Sequence, residues 1–311
     1  MASSYPNGFN NGLVVREVPV LTAPMGNVFW VASTGSDNNP GTFLRPFLTL
    51  DYAVGRCTAN NGDIIYVKEG YTQTMTAADD VDIDVAGVSV IGLGRGAKRP
   101  TFTYTVAAGE FVIGAANVRI ENLKFVPGVT AVTHAVDVEA TFKGWEIINC
   151  EFSSAVNTGT DEFNAAITVG TTATDGRIHG CFFNSEAAGA IYAISLATPG
   201  NVWITNNVIM GAYSTACIGT ITGAGVNCHM YDNVIINGLP GGLNAVACFT
   251  QSAAGTWAVG RNMFAADVAT AILFFTNYTS TINLGNVYTD DTSMAATAVD
   301  QTATIVKMAD G

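Results

Sequence analysis

Charge is scarce in this chain. Asp, Glu, Lys and Arg together make up 12% of its 311 residues, about half of the roughly 25% usual in soluble domains. Bases are scarcer than acids, 13 against 25 for a net charge of −12, and no basic cluster is larger than Arg95, Lys98 and Arg99. Nucleic-acid binding is excluded on that ground, because phosphate contacts need clustered Lys or Arg. The opening MASSYPNGFNNG has neither a basic start nor an apolar stretch, and no run approaches the ~18 apolar residues of a membrane span. The expectation is a chain without a secretory signal, made in a cytoplasm. No CxxC and no Cys/His spacing accompanies Cys57, Cys150, Cys181, Cys217, Cys228 and Cys248, so these read as reduced, mostly buried small hydrophobes. The glycines of GLGRG (Gly92–Gly96) lack the full spacing and the helical pattern of a phosphate loop, which argues against a nucleotide site.

What is present is repetition. Asn117–Phe125, Gly144–Phe152, Asp175–Phe183, Asn201–Ile209, Asn227–Ile235, Thr256–Phe264 and Thr281–Tyr288 are alike, and their last residues are 27, 31, 26, 26, 29 and 24 apart. Such a period marks a stacked solenoid. In NVRIENLKF, Val118, Ile120, Leu123 and Phe125 alternate with Arg119, Glu121 and Lys124, and the phase slips by one residue at Asn122. Period two means strand, and the slip means a corner.

Aligning the units puts Ile120, Ile147, Ile178, Ile204, Met230 and Val259 in one inward column. A second holds Phe125, Phe152, Phe183, Ile209, Ile235, Phe264 and Tyr288. The corner column is Asn122, Asn149, Gly180, Asn206, Asp232 and Arg261, and Asn and Gly accept the left-handed backbone of a one-residue bend. Beside it stand Leu123, Cys150, Cys181, Asn207, Asn233, Asn262 and Asn286. Amides stacked about 4.8 Å apart can donate to one another and to corner carbonyls. Cys150 and Cys181 fall in neighbouring rungs of this column, where a core stack is favoured over a disulfide. Scarcity of charge follows from the same stacking, since like charges in one column would repel along the whole rod.

The amide column resembles the asparagine ladder of pectate-lyase-like β-helices. Val28–Cys57, with GSD-NPGT and RPF-TL ahead of the GD-I-V strand, resembles the entry of many such proteins. The fold expected is all-β: a single-stranded right-handed parallel β-helix with a short N-terminal capping helix, Leu50–Cys57, and an extended N-terminal arm. Residues 1–27 form the arm, 28–61 the entry and cap, 62–288 the β-helix in eight or nine coils, and 289–311 a C-terminal cap or tail. The cap covers an end whose unpaired backbone groups invite aggregation.

β-helices commonly host polysaccharide lyases and hydrolases, whose active site would show as acids and bases on adjacent rungs of one outward face. Arg119, Glu146, Arg177, Trp203, His229 and Ala258 form one outward column beside Glu121, Ile148, His179, Thr205 and Tyr231. If the chain were an enzyme, Glu146, Arg119, Arg177 and His229 would carry the chemistry. Yet Glu146 lies between two arginines with no second carboxylate above or below it, the pattern of structural charge pairing, and glycoside hydrolysis needs two carboxylates. Asp80, Asp82 and Asp84 would project from one side of a strand as a weak Ca²⁺ candidate, a solvated strand being the simpler reading. His134 reads as a surface or satisfied core histidine. No catalytic residue, metal or cofactor is expected.

The arm looks too apolar for a free tail, through Leu13, Val14, Val15, Val18, Val20 and Leu21. With a rigid, charge-poor rod it resembles virion structural proteins of tailed bacteriophages. That resemblance implies a homotrimeric capsid decoration or cementing protein bound to the major capsid protein, or another virion component, through the arm. The alternative it implies is a tail fibre or tailspike that binds or cleaves host polysaccharide.

Overall fold

Short runs of alternating apolar residues, each broken after three or four positions, cannot form long strands; they form short ones that turn and repeat. The computed structural model describes residues 13–15, 18–20, 26–153, 161–185, 189–239, 242–243, 246–266 and 281–289. Three sheets of parallel strands run along the rod. The first has ten strands, from Val28–Val31 and Ile64–Val67 through Arg119–Glu121, Glu146–Ile148, Arg177–His179, Trp203–Thr205 and Cys228–Tyr231 to Thr281–Leu284. The second runs from Thr72–Met75 to Val287–Thr289. A third of seven strands, from Val81–Asp82 to Phe249–Gln251, closes each turn. The repeat as read from sequence held only two strands per unit, because the third lies beyond connections of variable length. Among the described residues seven coils contribute to all three sheets, and the first and second sheets continue for two coils more.

The register is the expected one. Ile120 pairs with Ile147, Ile147 with Ile178, Ile178 with Ile204, Ile204 with Met230 and Met230 with Val259, and all six are fully buried. In the second sheet Phe125, Phe152, Phe183, Ile209, Ile235 and Phe264 are likewise in register. The rings of Phe102, Phe125, Phe152 and Phe183 stack at centroid distances of 5.6, 5.1 and 4.8 Å. Phe111, from the third sheet, packs edge-on against Phe102 and Phe125. Burying such a side chain contributes about 1.5–3 kcal/mol before conformational entropy is subtracted.

Corner residues take the left-handed backbone: Asn122, Asn149, Gly180, Asn206, Asp232 and Arg261 have φ between 52° and 66°. A second left-handed column, Asn117, Gly144, Asp175, Asn201 and Asn227, precedes the first-sheet strands. Inside the corner the amide ladder forms. Asn233 Oδ1 accepts the backbone N–H of Asn207 at 2.9 Å and its Nδ2 at 3.0 Å. Asn233 Nδ2 donates to Ile204 O at 2.9 Å and Asn262 Oδ1 at 2.8 Å, and Asn262 repeats this with Met230 and Asn286. Where the ladder gives way to thiols, Cys150 and Cys181 are buried and unlinked.

The cap helix is shorter than expected, Leu50–Val54, with Leu50, Ala53 and Val54 buried over the end of the core. Asp37 holds its approach by accepting Leu48 N at 2.8 Å and Thr49 N at 3.0 Å. Buried Asp63 ties the entry to the first full coil, accepting from Asn27 N, Thr58 N and Asn61 Nδ2. Burial alone would raise this carboxyl, but those hydrogen bonds outweigh it and hold it below the usual range. In the arm, Leu13–Val15 pairs antiparallel with Val18–Val20 as a separate two-stranded sheet. Leu21 and residues 290–311 lie outside the described residues.

Candidate functional site

On the first sheet the expected outward column is assembled. Glu146 sits between Arg119 and Arg177, with Oε2 and Oε1 each 3.3 Å from a guanidinium nitrogen. Arg119 also reaches Glu121 at 2.6 Å. One rung on, Trp203 stacks on His229 with ring centroids 3.8 Å apart. Burial against that ring lowers the imidazole pKa, so His229 favours its neutral form. His179 Nδ1 lies 2.8 Å from Thr205 Oγ1, and Arg261 stands over Tyr231 while pairing with Asp232 at 2.7 Å. The side chains of this face are thus engaged with one another along the stack. Glu146 has no carboxylate in register above or below it, so a two-acid mechanism finds no second acid there.

The aspartate run does not present three ligands to one point. The strand is only Val81–Asp82, and Asp80 turns back to accept the backbone N–H groups of Thr76 and Ala77. Among the described residues, no three His, Cys, Asp or Glu side chains are placed to hold a metal ion. Asp82 nevertheless has a distinctive setting. Burial, followed by the nearby charges of Asp84, Glu139, Asp79 and Asp51, pushes its carboxyl up to about 6. Gly114, in the rung between, makes room for this: a Cβ there would stand 2.6 Å from Asp82 Oδ1 and 3.3 Å from Glu139 Oε2. Asp137, outward on the same sheet, is also raised, chiefly by burial. His134 lies within the strand Val132–Val138 and pairs with Glu110 at 2.9 Å.

Glu139 and Asp137 were not singled out from the sequence. Their two-residue spacing in VDVEA was the available signal, but Asp82 and Glu139 lie 57 positions apart and come near each other only over Gly114, which puts no side chain between them.

No family model matches the sequence, and no curated protein matches it. Among solved structures, pectate lyase Bsp165PelA from Bacillus sp. N165, in complex with trigalacturonate, matches with a TM-score of 0.54. Identity is 15%, over 85% of this chain and 82% of that one. The fold is a pectate-lyase-like β-helix. A rhamnogalacturonan lyase and pectate lyase Pel9A match at TM-scores of 0.49 and 0.47 and identities of 13% and 14%. They cover 85% and 87% of this chain and 74% and 78% of their own. At such identities the likeness concerns the path of the backbone. In this pectate-lyase-like β-helix, Glu146 is paired with Arg119 and Arg177, His229 stacks on Trp203, and the raised carboxyls of Asp82 and Asp137 lie elsewhere, on the third sheet.

Proposed function

We propose that this chain is a non-enzymatic structural component of a tailed-bacteriophage virion. In this reading it is a homotrimeric capsid decoration or cementing protein, made in the host cytoplasm and held to the major capsid protein by its N-terminal arm. The observation that carries the proposal is the separate sheet of Leu13–Val15 and Val18–Val20, which joins none of the three coil sheets. A two-stranded hairpin alone is marginal in water, so apolar strands of this kind need a surface to bury against. The mutual engagement of the Arg119 to Tyr231 face and the continuous core suit a rod built for durability. The test is to mix the purified protein, with and without residues 1–27, with undecorated capsids and sediment them. Co-sedimentation of the full chain alone supports the proposal; equal binding of the truncated chain removes the arm from it. Light scattering should give a mass three times the 32.4 kDa of the chain.

A second reading, a tail protein that cleaves host polysaccharide, is favoured by one observation: Asp82, raised to about 6, faces Glu139 across Gly114. A carboxyl raised to about 6 beside a second carboxyl is the kind of pairing that acid–base cleavage of glycosides draws on. Release of reducing ends from bacterial polysaccharides, lost in Asp82→Asn and retained in Glu146→Gln, would favour this reading over the structural one.

A further inference from the structure

An open groove lies at the corner between the first and second sheets. Its volume is about 490 Å³. Its floor is the left-handed corner column, Asn122, Asn149 and Gly180, where side-chain amides and bare backbone face outward. The connection after the strand Ser89–Gly92 forms one wall. Asn122 Nδ2 fastens that wall by donating to Gly92 O at 2.7 Å and Gly94 O at 3.0 Å. Partly exposed Phe182 stands at the other side.

Charge here is opposite in sign to the protein. Arg95, Lys98, Arg99, Arg119 and Lys124 gather around the groove against Glu69, Glu121 and Glu151, in a chain whose formal charge is −12. Two of these three acids, Glu121 and Glu151, are already neutralised. Glu121 pairs with Arg119 at 2.6 Å, and Glu151 with Arg99 at 3.0 Å and Lys124 at 2.7 Å. Those ion pairs leave Arg95 exposed with no ion-pair partner among the described residues, and leave the buried Nε of Arg99 without a hydrogen bond. A guanidinium fork held beside outward amides and a phenyl ring is the donor set for an acid group carried on a sugar ring.

We propose that this groove binds an acid-bearing saccharide, its carboxylate or phosphate on Arg95, its hydroxyls on the exposed Asn149 amide and its ring against Phe182. The site is separate from the carboxylate pair on the third sheet, and the inference does not depend on the virion role.

The experiment is calorimetric titration of the full chain at low ionic strength with three probes: a glucuronate-containing tetrasaccharide, its carboxyl-reduced neutral counterpart, and a mannose oligosaccharide ending in a 6-phosphate. The proposal expects at least one acid sugar to bind and the neutral one not to. Arg95→Ala should weaken binding by about tenfold or more, as loss of a charge-assisted contact does, with an unchanged melting temperature because the side chain is exposed. Arg261→Ala, a remote exposed cation, should leave affinity unchanged. Which acid sugar binds tells carboxylate from phosphate recognition. Equal binding of the neutral sugar, no binding of either acid sugar, or an unaltered affinity in Arg95→Ala would overturn the proposal.

Discussion

Replacing Asn233 by Leu puts the ladder to a quantitative test. The side chain is 1% exposed, and Leu keeps its branched outline with as many heavy atoms, so the change removes hydrogen bonds without opening a cavity. Two buried groups lose the partner that Asn233 supplies: the backbone N–H of Asn207, at 2.9 Å from Oδ1, and the carbonyl of Ile204, at 2.9 Å from Nδ2. One hydrogen of Asn207 Nδ2 loses its acceptor as well, while its bond to Ile178 O at 3.0 Å remains. Each orphaned buried group costs about 1–3 kcal/mol, and the apolar transfer of leucine offsets about 1–2 kcal/mol. The middle of these ranges gives a net loss of about 2–3 kcal/mol. Urea unfolding followed by the fluorescence of buried Trp145 and Trp257 is the assay; at a slope of about 3 kcal/mol/M the midpoint falls by roughly 1 M. A shift corresponding to less than about 0.5 kcal/mol would show that the amide column is not a structural support of the corner.

Phe152→Ala opens the middle of the ring stack and should cost about 3–5 kcal/mol, read as a lower melting temperature with the strand signal in circular dichroism retained. Gly176→Ala places a Cβ 2.0 Å from the buried Trp145 ring and should destabilise by about 1–3 kcal/mol, with a red shift of tryptophan emission. Glu146→Gln removes two partly exposed ion pairs and should cost less than about 1 kcal/mol; a larger loss in thermal unfolding would mean that the face does more than pair its charges. For Asp82 the folded pKa, about 6, lies above the ordinary 3.8, so its contribution is most favourable below about pH 4 and is lost as pH rises through 6. Asp82→Asn should therefore raise the melting temperature at pH 7 more than at pH 4.5, and an equal effect at both would contradict the raised carboxyl.

The columns were legible in the sequence because a coil places residues of like environment at equivalent points of every turn. Ile120 through Val259, Phe125 through Phe264, the left-handed corner from Asn122 to Arg261 and the ladder from Asn207 to Asn286 each report one position seen many times, and noise at any single rung averages away. The pairing of Glu146 with both arginines follows from the same register. The third sheet was hidden because connections of unequal length precede it, so Phe111, Val136, Ile167 and Ile194 share no fixed spacing from the repeat that was read.

Contacts between unlike rungs depended wholly on tertiary structure. Asp82 meets Glu139 through the empty space over Gly114, and Arg99 finds Glu151 across 52 residues. The groove beside Arg95 exists because Asn122 fastens a connection that belongs to the preceding coil. Periodicity determines which residues point inward and which stack, since those are local consequences of strand geometry. Depth, charge and chemistry at the surface are decided where connections of different coils are brought side by side, and no period encodes that.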